Sequence, residues 1–221
     1  MSRTRNDMTG FLLTHTLIRQ TVPELARRLG ATPVGDTEAV QRLTAWWHVF
    51  TGILDRHHDV EDRLVWPVVL AERPDLRHEV DEIEDQHAEL DTYLADIDLG
   101  LSGLACDGTP GTWPDRVARL RADVTAFDAM LVDHLVLEEK TMVPVLEEQV
   151  SPEAFAALGA ELAKGHTPAE MATEMPMVVS CASPQQRTVM LGRMPEPVRQ
   201  RFTQEWEPQF QALVSALPDA G

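Results

Sequence analysis

The segment His57-His58-Asp59-Val60-Glu61-Asp62 returns 77 residues later, in register, as His134-Leu135-Val136-Leu137-Glu138-Glu139. The register extends outwards on both sides. Leu43, Phe50, Leu54 and Pro67 match Leu120, Phe127, Leu131 and Pro144. A repeat of this kind confines the chain to a fold made of two similar units. The i, i+4 spacing of each His-x-x-x-Glu pair puts the imidazole and the carboxylate on one helix face. The apolar neighbours recur with the same helical period and mark that face as the buried one.

The rest of the chain supports a helical reading. Alternating strand patterns between turns are nearly absent. A first helix is expected from Thr9 to Arg28, with Gly30 as its stop and Phe11, His15, Ile18 and Val22 inside. Asp36 suits the N-cap of a second helix reaching Leu70, in which Pro67 introduces a kink or an early end. Its inner face carries Leu43, Trp47, Phe50, Leu54, His57, Glu61, Leu64 and Val68. After a turn at Glu72-Arg73-Pro74-Asp75, a third helix runs to Leu99 with Ile83, His87, Leu90 and Leu94 inside. Gly100 to Trp113 reads as a Gly/Pro-rich loop, and Pro114 opens a fourth helix to Gln149. The first and third helices also match, His15 aligning with His87 at an offset of 72. Residues 1–150 are therefore expected to form an all-α, up-down-up-down four-helix bundle.

Residues 151–221 are punctuated differently. Ser151-Pro152, Thr167-Pro168 and Ser183-Pro184 each pair an N-cap with a first-turn proline. Thr167-x-x-Glu170 and Ser183-x-x-Gln186 have the spacing of capping boxes. A last helix from 196 to 217 would bury Val198, Phe202, Trp206, Phe210, Leu213 and Leu217. This part is expected to be a helical C-terminal extension packed on the bundle.

Composition removes several function classes. A formal net charge of −17 repels nucleic acid and anionic membrane, so neither is expected as a partner. No run of about 18 apolar residues offers a membrane span. No long apolar stretch follows the basic residues near Met1, so no secretory signal is expected. Two cysteines, Cys106 and Cys181, read most simply as reduced thiols in a cytoplasmic protein.

The inward polar residues are His15, His57, Glu61, His87, His134 and Glu138. An exposed His–Glu pair would need no further explanation, since it contributes only about 0.2–0.5 kcal/mol. These pairs sit on a buried stripe, where unpaired polar groups cost several kcal/mol. Metal coordination offsets that cost for all six groups together. Mixed imidazole and carboxylate without thiolate suits iron or manganese, and zinc less well. Six protein ligands suit two ions sharing bridging carboxylates.

The order H…HxxxE…H…HxxxE on four helices, with a proline six residues after each Glu, resembles the hemerythrin-like (HHE) proteins over residues 9–149. The resemblance implies a non-haem centre of two iron ions with an oxo or hydroxo bridge. Its ligands would be His15, His57, Glu61, His87, His134 and Glu138. Oxygen-carrying hemerythrins take a fifth histidine from an HxxxH pair on the third helix, where this chain has Ile83 and Asp91. They also use HxxxxD on the last helix; Glu139 has that spacing, but the register of the first copy selects Glu138. Four histidines would leave an extra open iron position. That favours redox chemistry with peroxide, nitric oxide or oxygen, of a peroxidase- or catalase-like kind, over reversible carriage. Reversible oxygen or nitric oxide binding is the alternative, and a homodimer is compatible with either.

Several residues are expected outside the centre. His58 with Asp62 repeats the i, i+4 spacing, but its counterpart is Leu135, so His58 is expected to lie behind the ligands or to face solvent. Asp62 and Glu139 are expected to orient neighbouring groups or to face water. His48 and His78 read as surface residues, Tyr93 as off the ligand face, and His166 as a loop residue that could close the site. Met171, Met175 and Val178 share a face that reads as ordinary core packing.

Overall fold

The computed structural model describes residues 5–164 and 167–219. Four long helices dominate: α1 (Thr9–Ala31), α2 (Thr37–Val60), α4 (Arg77–Cys106) and α5 (Trp113–Glu148). Helix α2 runs into a π-helical turn, Glu61–Val65, and then a short α3 (Trp66–Glu72). There is no strand among the described residues. Helix α1 packs on α2 and α5, and α4 packs on α2 and α5, so the four close a ring.

Local chemistry sets most of the boundaries. The Asp36 carboxylate accepts the Ala39 N–H at 2.9 Å and starts α2. Pro67 lies just after the π-helical turn, within a run that stays helical from α2 into α3, so the wider turn accommodates its missing N–H. Helix α4 does not stop at Leu99 as expected but continues to Cys106, leaving only a short loop before α5. The reason is tertiary. A Cβ at position 100 would meet the Leu120 side chain at 2.6 Å, and one at position 103 would meet Arg116 at 3.2 Å. Gly100 and Gly103 are there for close approach to α5, and they do not break the helix.

Two apolar clusters fill the ring. One holds the repeat partners Leu43 and Leu120, Phe50 and Phe127, and Leu54 and Leu131. The other holds Met8, Val65, Ile83 and Met142. Along each long helix the polar residues fall between these clusters: 15 on α1, 57 and 58 on α2 with 61 at the start of the π turn, 87 on α4, and 134 and 138 on α5.

Five further helices follow: α6 (Pro152–Lys164), α7 (Pro168–Ser180), α8 (Pro184–Arg193), α9 (Glu196–Arg201) and α10 (Glu207–Ser215), the last two joined by a π-helical turn at Phe202–Trp206. Both capping boxes, Thr167/Glu170 and Ser183/Gln186, are formed. Helix α7 packs on α1 and α2, and α10 on α2. Met177 and Leu217 enter the main core, while Val179, Phe202 and Trp206 make a small cluster of their own. His166 lies outside the described residues.

Candidate metal centre

Five imidazoles and two carboxylates converge in the layer between the clusters. His15, His57, His58, His87, His134, Glu61 and Glu138 are each at most 9% exposed. Ligand atoms of His15, His57, Glu61 and Glu138 all lie within 4.8 Å of one another. Those of His58, His87 and His134 form a second group within the same limit. The carboxylates span the two. Glu138 turns Oε1 to His15 Nε2 (3.4 Å) and His57 Nε2 (3.9 Å), and Oε2 to His134 Nε2 (3.6 Å). Glu61 turns Oε1 to His57 Nε2 (3.4 Å) and Oε2 to His87 Nε2 (4.0 Å). Each carboxylate thus offers one oxygen to either group.

The remaining nitrogens fix the rings. His15 Nδ1 donates to Glu139 Oε1 at 2.8 Å, and Arg19 donates to the same oxygen at 2.7 Å. His87 Nδ1 donates to Asp62 Oδ2 at 3.2 Å, and His134 Nδ1 to Gln86 Oε1 at 3.0 Å. A proton held on Nδ1 leaves the Nε2 lone pair free and aimed inwards. Asp62 and Glu139 are repeat partners, as are His87 and His15, so the same orienting contact is made twice. It crosses between the two units both times, from Asp62 of the first to α4 and from Glu139 of the second to α1.

The Nε2 atoms of all five histidines and both oxygens of each glutamate are buried without a hydrogen bond. At about 1–3 kcal/mol for each such atom, nine of them would cost as much as the whole stability of a domain, about 5–15 kcal/mol. A set of this size requires a partner, and neutral imidazole plus carboxylate is a donor set for divalent or trivalent cations. Burial keeps the imidazoles neutral: it pushes His57 down to about 3 and His134 down to about 4, helped by the neighbouring histidines. His58 is pushed down further for the same reasons. Burial and the charge of Glu138 push Glu61 well above the usual carboxylate range. Burial acts on Glu138 as well, but Glu61 and the imidazoles of His15 and His57 hold it down and ionised. Two buried carboxylates this close do not both stay charged without a cation between them.

Residues 10–146, more than half of the chain, match the hemerythrin HHE cation-binding domain. The chain belongs to the hemerythrin HHE cation-binding family. Comparison with curated proteins and with solved structures gives no match. The matched segment of this hemerythrin-like chain contains all seven converging residues.

The six residues singled out from the sequence are all in the centre. His58 joins them, against the expectation that it lies behind the ligands or faces solvent. It is 6% exposed and stacks on His87, with ring centroids 4.1 Å apart and planes 14° from parallel. The count of four histidines is therefore corrected to five, the fifth coming from α2. The signal was available in the repeat: Leu135, the partner of His58, is itself fully buried. Position 58 therefore lies on the inward arc in both copies, and leucine at 135 marks that arc as core. Glu139 is partly exposed and holds His15, so Glu138 is the carboxylate facing the centre. His48 lies at the surface near Asp98, and Tyr93 packs near Phe127 with ring centroids 6.2 Å apart. Cys106 and Cys181 are both free.

Proposed function

We propose that this hemerythrin-like protein holds two iron ions within an up-down-up-down ring of its four long helices. His15 and His57 would hold one ion and His58, His87 and His134 the other, with Glu61 and Glu138 shared between them. The observation that carries this is the set of nine buried, unpartnered donor atoms, divided into two groups with one oxygen of each glutamate in each. Imidazole with carboxylate and no thiolate suits iron ahead of manganese or zinc.

The two groups are unequal, and the inequality is the basis for a functional reading. Three histidines and two carboxylate oxygens nearly complete an octahedral set, whereas two histidines and two oxygens leave more of it free. The two-histidine side is therefore the side for an external ligand, and oxygen, peroxide or nitric oxide is the class of molecule proposed. The irons would supply redox and Lewis-acid chemistry. The chain's own part is to hold the donors in place. Asp62, Glu139 and Gln86 fix three rings, Arg19 fixes Glu139, and the two apolar clusters exclude water on either side. Five histidines remove the reason for disfavouring reversible binding, so an oxygen or nitric oxide binder without turnover stands as the second reading. A cytoplasmic setting with reduced thiols fits both.

Metal analysis with optical spectroscopy tests the proposal. Two irons per chain are expected, with a bridged di-ferric band pattern after the reduced protein meets oxygen. Fewer than about one metal per chain after iron-replete expression defeats it. Repeated peroxide consumption by the loaded protein selects the reactive reading, and a stable adduct released on deoxygenation selects the binder.

A further inference from the structure

We propose that the cavity between the bundle and the C-terminal helices binds an uncharged, mainly apolar organic molecule against the two-histidine side of the centre. The cavity measures about 610 Å³ and is bordered by α1, α2, α6, α7 and α8. Oxygen, peroxide or nitric oxide needs far less space, since a water molecule's share of the liquid is about 30 Å³. The volume falls instead within the roughly 300–1,000 Å³ range of sites for organic ligands.

The lining defines the ligand class. Phe11, Ile53, Met171, Met175, Val178 and Met190 give it an apolar and adaptable wall. The face of α7 that reads as plain core packing in the sequence thus borders open space. Gly10 and Gly159 also border the cavity, and a Cβ at either position would meet nothing within 4 Å. The charged neighbours do not favour an ion. Arg56 is engaged by Glu170 at 2.9 Å and by Glu174 at 3.1 Å. Asp7 is paired with Arg193 at 3.6 Å. Beside these mutually paired charges, the cavity adds to its apolar wall one end whose buried polar atoms carry no hydrogen bond.

That end is the centre itself. His57 and Glu61 both border the cavity, and both carry buried polar atoms without a hydrogen bond. None of His58, His87 or His134 is among the lining residues. The space therefore meets the group with fewer donors, and the C-terminal helices, which lie outside the family match, supply its far wall. The existence of the binding site does not depend on the two-iron reading; only its place beside a reactive ion does.

The test uses full-length protein purified with iron, with iron measured on the same sample. Titration with N-phenyl-1-naphthylamine, an uncharged apolar fluorophore, is expected to saturate at one per chain, and decan-1-ol is expected to displace it. Met175→Trp and Gly159→Leu, each filling the space from a different helix, should weaken probe binding at least tenfold while the thermal midpoint and iron content stay as in the parent. Saturating decan-1-ol should also shift the iron absorption bands. Non-saturable binding, or saturable binding that both folded filling variants leave intact, overturns the site. Bands that do not move under saturating decan-1-ol overturn its placement beside His57. Saturable binding by protein that holds no iron would sink the two-iron reading and leave the site standing.

Discussion

The two His-x-x-x-Glu copies share a register of 77 residues but are not equivalent in the folded chain. The second, on α5, is an unbroken α-helix from His134 through Glu138 and past Pro144. The first ends α2 at Val60 and widens into a π-helical turn at Glu61–Val65 before Pro67. Single π turns of this kind recur at functional sites. The second copy follows its histidine with Leu135, whereas the first follows it with His58. His58 does not join its own copy's group; it completes the group around His87 and His134. A duplication that would place two histidines on each side therefore becomes two and three. The poorer side is also the one that meets the cavity. One leucine-to-histidine difference between the copies leaves two imidazoles in one group and three in the other.

The most severe test removes what both copies hold. At a free metal concentration about 1,000 times Kd, binding stabilises a fold by about 4 kcal/mol. A domain of this size shifts by about 2–4 °C per kcal/mol. Stripping the metal with a chelator at neutral pH should thus lower the melting temperature by roughly 8–16 °C. Restoring iron should recover it. An unchanged melting curve, read by circular dichroism, would show that nothing is coordinated by either copy.

Acid should act on both copies in the same direction. Burial holds His57 at about 3 and His134 at about 4, below an unfolded value near 6.5. Above about pH 6.5 both states are neutral at these positions and the shift has no effect on stability. Below it, the unfolded chain takes up protons that the folded chain refuses, so stability is lost progressively as the pH falls towards 4 and then 3. Glu61, whose pKa is raised, works the other way and is outnumbered, because His58 adds to the loss. Thermal melts of metal-free protein should therefore show a falling midpoint from about pH 6.5 down to about pH 4. A midpoint that rises on acidification would contradict the buried, neutral histidines.

Making the copies alike is the sharper test. His58→Leu gives the first copy the residue of the second, and Leu135 is already buried without strain at the matching place. The three-histidine ion should lose at least tenfold in affinity, measured by competition with a chelator, while the helical signal is retained. The exposed His48 is the control, and His48→Leu should leave both metals in place. Equal metal binding by the His58 and His48 variants would return the centre to four histidines.

How much of this can be read from the chain alone follows from what each feature depends on. The starts of α2, α7 and α8 depend on Asp36, Thr167 and Ser183, whose caps are local, and they are legible. The end of α4 depends on Leu120 and Arg116 crossing over Gly100 and Gly103, so a rule that treats glycine as a breaker fails there. His58 could have been placed from Leu135, had leucine been read as a sign of burial and not as a missing ligand. The π turn has no local mark beyond Pro67, because Pro144 stands in the same register within a regular helix. The cavity is not legible at all: its walls come from helices far apart in sequence, and its Met171 and Met175 have the spacing of ordinary core residues.

Orienting contacts allow a finer comparison. Asp62 holds His87 and Glu139 holds His15 from matching positions in the two copies. Losing such a contact typically costs about 10–100-fold in metal affinity. Asp62→Asn should weaken the three-histidine side and Glu139→Gln the two-histidine side. Glu139→Gln also releases Arg19, so it should have the larger effect of the two. The optical bands of partly loaded protein report which ion leaves first. Loss of the same ion in both variants would mean that the copies do not support opposite sides.

The smallest expected effect concerns the two prolines, and it asks whether the difference in backbone matters by itself. Pro144 lies inside α5, where it leaves the Lys140 carbonyl without its helical donor, whereas Pro67 follows a π-helical turn whose wider spacing accommodates a missing N–H. Alanine is favoured over proline by about 3 kcal/mol in a straight helix interior. The packing that has formed around a helix with proline at this place would retain most of that difference, so Pro144→Ala should stabilise by up to about 1 kcal/mol, or about 2–4 °C. Pro67→Ala should change stability by less than about 0.5 kcal/mol, since the wider turn before it already accommodates the missing N–H. Both variants should keep their full metal content, because neither proline touches a donor. If Pro67→Ala lost metal while Pro144→Ala did not, the widened turn would be shown to position Glu61 and Asp62, and the proline would be the reason the first copy departs from the second.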